Sequence, residues 1–177
     1  SALAIPLAER LSDMRPGRLA PIRRRRPGSS AKPPGIRMTP LDRLLAESEI
    51  SRLITRFGLL NDAADWPGVA AMFTADARFV RPAGGDPVIG RDAILASFTS
   101  RPPRKSRHVI TNIVVDVTSA DAASAQSVML LFAGPAGEAS AASPALVGGF
   151  RDRLERTADG WRFAERVGFL DFKVEFK

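Results

Sequence analysis

The spacing of apolar and polar positions divides the chain into a helical part followed by a strand-rich part. Over about 40–63, apolar residues recur every three or four positions, which predicts one long amphipathic helix. Thr39 suits the cap of this helix, Pro40 suits its first position, and Asp42 faces the positive end of the helix dipole. The first folded element is therefore predicted to be a helix that begins at residue 40.

Shorter elements follow the long helix. Asp65 is suited to cap a second, short helix, and residues 90–98 read as a third helix. Arg78–Val80 and Val88–Ile89 read as short strands joined by a Gly-rich turn.

The second half of the chain is dominated by β-branched and alternating stretches. We expect strands at Arg107–Val117, Gln126–Phe132, Leu146–Arg156 and Trp161–Phe169. Gly134–Ser143 is rich in small residues and reads as a loop between two of them. Helices first and a meandering antiparallel sheet afterwards predict an α+β domain with helices on one face of the sheet.

Charge separates residues 1–38 from residues 39–177. The first segment holds 9 basic and 2 acidic residues, whereas the rest holds 17 of each, so the whole net charge of +7 belongs to the first segment. We predict a basic, Pro/Arg-rich extension over 1–38 and one domain over 39–177. The extension is interpreted as a solvated, flexible arm; an electrostatic tether to nucleic acid or anionic lipid, an Arg-rich targeting segment and a true start at Met38 are the alternatives. The neutral domain is not expected to bind nucleic acid.

Composition removes several classes of chemistry. The chain has no cysteine and one histidine, so disulfides, thiolate nucleophiles and Cys-based zinc sites are excluded and a transition-metal site is not expected. There is no Gly-rich phosphate loop after a strand. No apolar run is long enough to span a bilayer and no signal-peptide core is present, so we expect a cytoplasmic protein.

A set of ordered motifs resembles the SnoaL-like families of the nuclear transport factor two superfamily. The matching segments are Phe57-Gly-Leu-Leu-Asn-Asp62, Asp65-Trp66, Met72-Phe73-Thr-Ala-Asp76-Ala-Arg-Phe79, Gly90-Arg91-Asp92-Ala93-Ile94, Arg107-His108-Val-Ile-Thr-Asn112, Phe150-Arg-Asp152-Arg and Asp159-Gly160-Trp161-Arg162. They span about residues 41–167. The resemblance implies a cone-shaped fold in which N-terminal helices and a curved, mostly antiparallel sheet enclose a pocket.

The resemblance also implies a range of activities. The superfamily includes dehydratases, isomerases, cyclases and epoxide hydrolases that usually act on hydrophobic ring compounds without a cofactor, and dioxygenase small subunits that catalyse nothing. In dehydratase-like members, a Tyr and an Asp near the end of the first helix act with a His on a strand. This chain matches the Asp at Asp62 and the His at His108, but it has Phe57 at the tyrosine position and no tyrosine anywhere.

His108 is the sharpest candidate for chemistry. Strand alternation predicts that it shares one face with Ile110, Asn112 and Val114. His108 would serve as general base, Asp62 would orient its ring, and Asn112 would position a substrate oxygen. The alternatives are a core histidine satisfied by hydrogen bonds and a solvated aspartate at a helix end.

The remaining candidates are pocket-lining or structural. Asp65 and Asp76 read as structural, the latter between a helix and a strand. Asp152 shares a strand face with Phe150, so it is a candidate second acid in the pocket. Phe57, Trp66, Phe79 and Phe150 are expected to line an apolar pocket and, together with Asp152, to contact the substrate.

These observations favour a cofactor-independent acid–base enzyme, a lyase or isomerase, acting on a small hydrophobic ring compound of the polyketide or steroid type. The alternative is a non-catalytic binding protein or structural subunit of the dioxygenase small-subunit type. We also expect a homodimer, because Val109, Ile113 and Val115 are predicted to form a second apolar strand face that needs a cover.

Overall fold

The computed structural model describes residues 38–137 and 146–173. The predicted arm and most of the predicted small-residue loop lie outside these ranges. Within the ranges, the elements follow in the order α1 Pro40–Asp62, α2 Trp66–Ala71, β1 Phe73–Val80, β2 Val88–Ile89, α3 Arg91–Thr99, β3 Arg104–Val117, β4 Ala122–Pro135, β5 Leu146–Thr157 and β6 Gly160–Lys173. None of the described helices is long and apolar enough to cross a membrane.

Helix α1 begins where the sequence predicts. The Thr39 hydroxyl accepts a hydrogen bond from the Asp42 amide at 3.1 Å, and the Asp42 carboxylate accepts one from the Thr39 amide at 3.0 Å. This reciprocal pair satisfies two amides at the start of the helix. The prediction that the buried face of the helix begins with its first leucines is wrong, however, because Leu41 and Leu44 are more than 60% exposed. The buried face starts only at Ala46.

The six described strands form one sheet in the order β2-β1-β6-β5-β4-β3. All neighbours pair antiparallel except β1 and β6, which are parallel. The prediction of an α+β fold, with helices on a mostly antiparallel sheet, is confirmed. Asp76 lies inside β1 and accepts a hydrogen bond from the Thr74 hydroxyl at 3.0 Å, so its predicted place between a helix and a strand is wrong.

Strand β3 contains a bulge that reverses its two faces. Its register with β4 shifts between Thr111 and Val114, and Asn112 has a φ of 50°. The extra residue sends Val114 outward, 61% exposed, and turns Ile113 toward the core. The prediction that His108, Asn112 and Val114 share one face is therefore wrong, as is the grouping of Val109 with Ile113.

The core between the helices and the sheet is aromatic. Phe57 of α1 lies at its centre, and its ring makes edge-on contacts with Phe73, Phe98, Phe150 and Phe163 at centroid distances of 5.7–6.2 Å. Edge-to-face packing of this kind contributes beyond simple burial. Helix α1 is thereby fixed over the sheet, with its C-terminal end above β3.

Candidate active site

A cavity of about 390 Å³ opens between α1, α3 and the sheet. Its inner wall is apolar and consists mainly of Phe57, Phe79, Phe98, Met129, Leu131, Leu146 and Phe150. The amide side chain of Asn61 and the imidazole of His108 also line the cavity. A concave apolar site with a few convergent polar groups is the usual form of a small-molecule pocket.

His108 and Asp62 meet at the edge of the cavity. The His108 Nδ1 atom lies 2.6 Å from Asp62 Oδ1, and the two side chains expose only 7% and 6% of their surface. The contact predicted from the sequence is present. It forms because Asp62 is the last residue of α1 and this end of the helix contacts Ser106 and His108 of β3.

The Asp62 carboxylate is held from several directions. It accepts hydrogen bonds from the His108 amide at 2.9 Å and from the Ser106 hydroxyl at 3.1 Å, and Arg107 Nη1 lies 3.8 Å away. An ionised carboxylate only accepts hydrogen bonds, so we assign the His108 proton to Nδ1. The other ring nitrogen, Nε2, is then left with a lone pair.

The close approach of α1 to β3 depends on a glycine. A Cβ atom at Gly58 would lie 2.9 Å from Ile110 Cδ1 and 3.2 Å from His108 Cβ. Gly58 therefore allows the helix to pass directly over the strand that carries the imidazole.

Burial governs the charge state of His108. Desolvation lowers the pKa of its imidazole, the hydrogen bond and charge of Asp62 raise it, and Arg104 and Arg101 lower it further; the net shift is downward from 6.5. The ring is consequently neutral at neutral pH. A neutral imidazole with a bonded Nδ1–H and a free Nε2 is equipped to accept a proton.

Asn61, rather than Asn112, supplies the amide of the cavity. Asn112 is exposed at the bulge, so the prediction that it positions substrate is wrong. Asn61 is 5% exposed, lines the cavity, and donates from its side chain to the Phe57 carbonyl at 2.8 Å. Helical spacing from Phe57 places Asn61 on the same face, so this residue was recognisable from the sequence.

Asp152 is buried but does not line the cavity. It shares a face with Phe150 as predicted, yet its Oδ2 lies 2.7 Å from Nη1 of Arg166, and both side chains are fully buried. The Arg166 guanidinium lies 3.8 Å from the centre of the Phe150 ring and 4.3 Å from that of Phe57. The predicted contact of Asp152 with substrate is wrong, because Asp152 is absent from the described lining of the cavity and its Oδ2 is paired with Arg166, which the sequence did not single out.

Burial shifts both members of this pair. Desolvation raises the pKa of Asp152 to about 6 and lowers that of Arg166 to about 10, while the mutual attraction opposes both shifts. The pair is thus ionised at neutral pH. Its position directly behind Phe57 and Phe150 makes it a support for the cavity wall.

The aromatic candidates divide between cavity and core. Phe57, Phe79 and Phe150 line the cavity as predicted. Trp66 instead lies against the Phe98 ring at a centroid distance of 5.7 Å and is absent from the described lining, which corrects its predicted contact with substrate. No group of three or more His, Cys, Asp or Glu side chains suited to a metal ion occurs within residues 38–137 and 146–173.

Comparison with protein families agrees with this architecture. The SnoaL-like domain model matches residues 42–167, which is most of the chain. The chain belongs to the SnoaL-like domain family. The match runs from the first turn of α1 into β6 and includes Asp62 and His108.

Solved structures of other proteins share this fold. A candidate scytalone dehydratase from Novosphingobium aromaticivorans is 20% identical, with a TM-score of 0.68 over 78% of this chain and 93% of its own. A type 2 hexachlorocyclohexane dehydrochlorinase, LinA, is 19% identical, with a TM-score of 0.68 over 78% and 94%. A protein from Catenulispora acidiphila in complex with S-DNPA is 27% identical, with a TM-score of 0.60 over 72% and 95%. No curated protein matches the chain.

Proposed function

We propose that this SnoaL-like domain is a cofactor-independent acid–base enzyme that moves a proton on a small hydrophobic ring compound. The observation that carries the proposal is the 2.6 Å contact between His108 Nδ1 and Asp62 at the wall of an apolar cavity. His108 is the base and Asp62 is a positioning residue that fixes the ring and its tautomer. Asn61 is the candidate donor to a substrate oxygen.

The chemistry follows from the free nitrogen. His108 Nε2 takes a proton from a carbon next to a carbonyl or hydroxyl, and the C–H electron pair moves into a new double bond. In an elimination, the leaving group departs from the adjacent carbon with its bonding electrons. Where the leaving group is hydroxide, it takes up the proton from the imidazolium and departs as water. In an isomerisation, the imidazolium returns the proton to another carbon. The apolar wall excludes water and strengthens these interactions.

Two structural neighbours support an elimination. The names scytalone dehydratase and hexachlorocyclohexane dehydrochlorinase both denote removal of a small molecule, and the second names a ring compound as the substrate. A substrate of the polyketide or steroid type agrees with the aromatic wall of the cavity.

Hydrogen exchange tests the proposal without knowledge of the natural substrate. Ring ketones and hydroxy-ketones are incubated with the protein in D2O, and loss of the signal from hydrogens next to the carbonyl is followed by NMR. We expect exchange by the native chain, and a loss of about 100-fold or more in His108→Ala and Asp62→Asn, the usual size of an acid–base contribution.

Matched controls separate chemistry from folding. Thr111→Ala alters an exposed residue of the same strand, and Asp65→Asn makes the same chemical change near Asp62 but retains a residue that can cap α2. Both controls should exchange at the native rate. Exchange that persists in a folded His108→Ala protein would refute the assignment of the base.

The absence of tyrosine favours one second candidate, a binding protein or structural subunit without chemistry. Phe57 offers no phenolic acid where dehydratase-like members are expected to have one. Ligands would then raise the melting temperature through binding alone, and no ketone would exchange.

Self-association is also proposed, on a revised surface. Strand register aligns Val109, Leu130, Val147 and Phe172 in one row across β3, β4, β5 and β6. Val109 and Phe172 are exposed. An apolar row across the outer face of the sheet suits a second copy of the same face. A cytoplasmic location stays a prediction.

A further inference from the structure

The mouth of the cavity has a different chemistry from its interior. Arg81, Arg101 and Arg104 all contribute to its lining, and no aspartate or glutamate does so among the described lining residues. The described part of the chain also gives none of the three an ion-pair partner. Three cations therefore line the same cavity as the apolar wall, Asn61 and His108.

Local sequence holds these arginines in place. Arg101 and Arg104 flank Pro102 and Pro103, whose rings fix the backbone between them, and Arg81 precedes Pro82. Proline restricts the conformations that each segment must lose when a ligand binds. The backbone on which the cations are carried is thus restrained before a ligand arrives.

Side-chain contacts add to this preorganisation. The Arg101 guanidinium lies 3.8 Å from the centre of the Phe98 ring, which is part of the cavity wall. Arg81 donates from Nη2 to the Ser97 carbonyl at 2.8 Å. Burial, together with repulsion from Arg81 and Arg104, lowers the pKa of Arg101 to about 10, so Arg101 is charged at neutral pH, and no described lining residue supplies a counter-charge.

We propose that the ring compound bound in this cavity carries a carboxylate, which the arginines at the mouth recognise while the ring lies against the aromatic wall. The inference rests on the proposed function, because it names the class of substrate for the same site. Arg101 and Arg104 are its specificity-determining residues.

A carboxylate fits this arrangement for two reasons. The guanidinium group presents parallel N–H donors that match the two carboxylate oxygens, and the Arg101 guanidinium already lies over the Phe98 ring. An anion at the mouth also fixes which end of the ring compound enters first. The carbon skeleton then faces His108 and Asn61 in the interior.

Paired ligands test the inference directly. The full chain is titrated with 2-naphthoate and with 2-naphthamide, a neutral analogue of similar shape, at low and high salt. We expect 2-naphthoate to bind at least about tenfold more tightly, because hydrogen bonds to charged groups are stronger than neutral ones. High salt should reduce this preference.

Variants assign the preference to the mouth. Arg104→Gln removes an exposed charge, and Arg101→Lys retains the charge but removes the guanidinium fork. Each should lower the ratio of the 2-naphthoate affinity to the 2-naphthamide affinity below that of the native chain. Arg52→Gln removes one positive charge from the exposed side of α1 and should keep the native preference.

Two results would overturn the inference: equal affinities in the native chain, or a native preference in both mouth variants. Failure of the proposed function has a different signature. If His108→Ala exchanges ketone hydrogens at the native rate while the carboxylate preference persists, the assignment of the base fails and the anion site stands. If exchange depends on His108 and the preference is absent, only the anion site fails.

Discussion

At His108, burial and a neighbouring carboxylate act on one imidazole in opposite directions. Desolvation is the largest influence and lowers the pKa, whereas the hydrogen bond and charge of Asp62 raise it. Arg104 and Arg101 add to the lowering. The result is a base that is already deprotonated at neutral pH but is still oriented by a carboxylate, the combination that general-base catalysis requires.

The pH dependence of proton exchange should report this balance. We expect kcat/KM to fall in acid with an apparent pKa below 6.5, because only neutral His108 accepts a proton. Asp62→Asn removes the interactions that raise this pKa, so the pH at which the residual activity is lost should shift further into the acid range. Exchange rates measured across the acid range check both statements, and a midpoint above 6.5 in the native chain would contradict them.

Stability should follow the same linkage. Because the folded pKa of His108 lies below 6.5, the unfolded chain binds more protons between the two values, and the free energy of unfolding falls as the pH drops through that window. Asp152 acts with the opposite sign, since its raised pKa favours the folded state on acidification. Denaturant unfolding of the native chain and His108→Gln between about pH 5 and 8 isolates the histidine contribution. Parallel pH dependences would contradict this prediction.

At the scale of elements, the site exists because α1 passes very close to β3. Gly58 makes this approach possible, and a methyl group there would press on Ile110 and on the Cβ atom of His108. The end of the Ile110 side chain can move aside, but displacement of His108 Cβ moves the imidazole.

Gly58→Ala should therefore lower the rate of proton exchange strongly and the free energy of unfolding only slightly. Alanine favours the helix by about 0.5–1 kcal/mol relative to glycine, which offsets part of the steric cost. Exchange rates and unfolding free energies are compared with those of Ser48→Ala, an exposed substitution on the same helix. Native exchange in Gly58→Ala would show that the close approach is not needed.

The sequence predicted where the helices and strands lie better than it predicted which side chains face the core. Capping residues and apolar spacing located α1, and its end placed Asp62 near His108. The bulge at Asn112 interrupts an otherwise regular alternation, and nothing in that alternation marks the extra residue. The one hint in the sequence is the asparagine itself, because asparagine tolerates the positive φ that the bulge requires. The Asp152–Arg166 pair depends on the register of β5 against β6, which the sequence does not specify.

For the whole molecule, the domain is predicted to fold without residues 1–37. The capping box of Thr39 and Asp42 is complete in a chain that starts at Met38. We expect such a chain to retain the melting temperature of the full chain within about 2 °C, less than the shift caused by a 1 kcal/mol loss. Thermal unfolding followed by circular dichroism checks this, and a large loss would move the domain boundary toward the N-terminus.

The outer face of the sheet should mediate dimerisation. The row that contains Val109 and Phe172 is apolar, and a lysine at Val109 would place a charge within it. Light scattering at micromolar concentration should report a dimer for the native chain and a monomer for Val109→Lys. A native monomer would contradict the proposed interface.

The chain contains a single histidine, so one NMR measurement reports directly on the proposed base. In protein labelled with ¹⁵N at histidine, long-range ¹H–¹⁵N correlations distinguish the two neutral tautomers and follow protonation with pH. The structure predicts a proton on Nδ1, a bare Nε2 and a pKa below 6.5. A proton on Nε2 at neutral pH, or a pKa above 6.5, would contradict the assignment of His108 as the base.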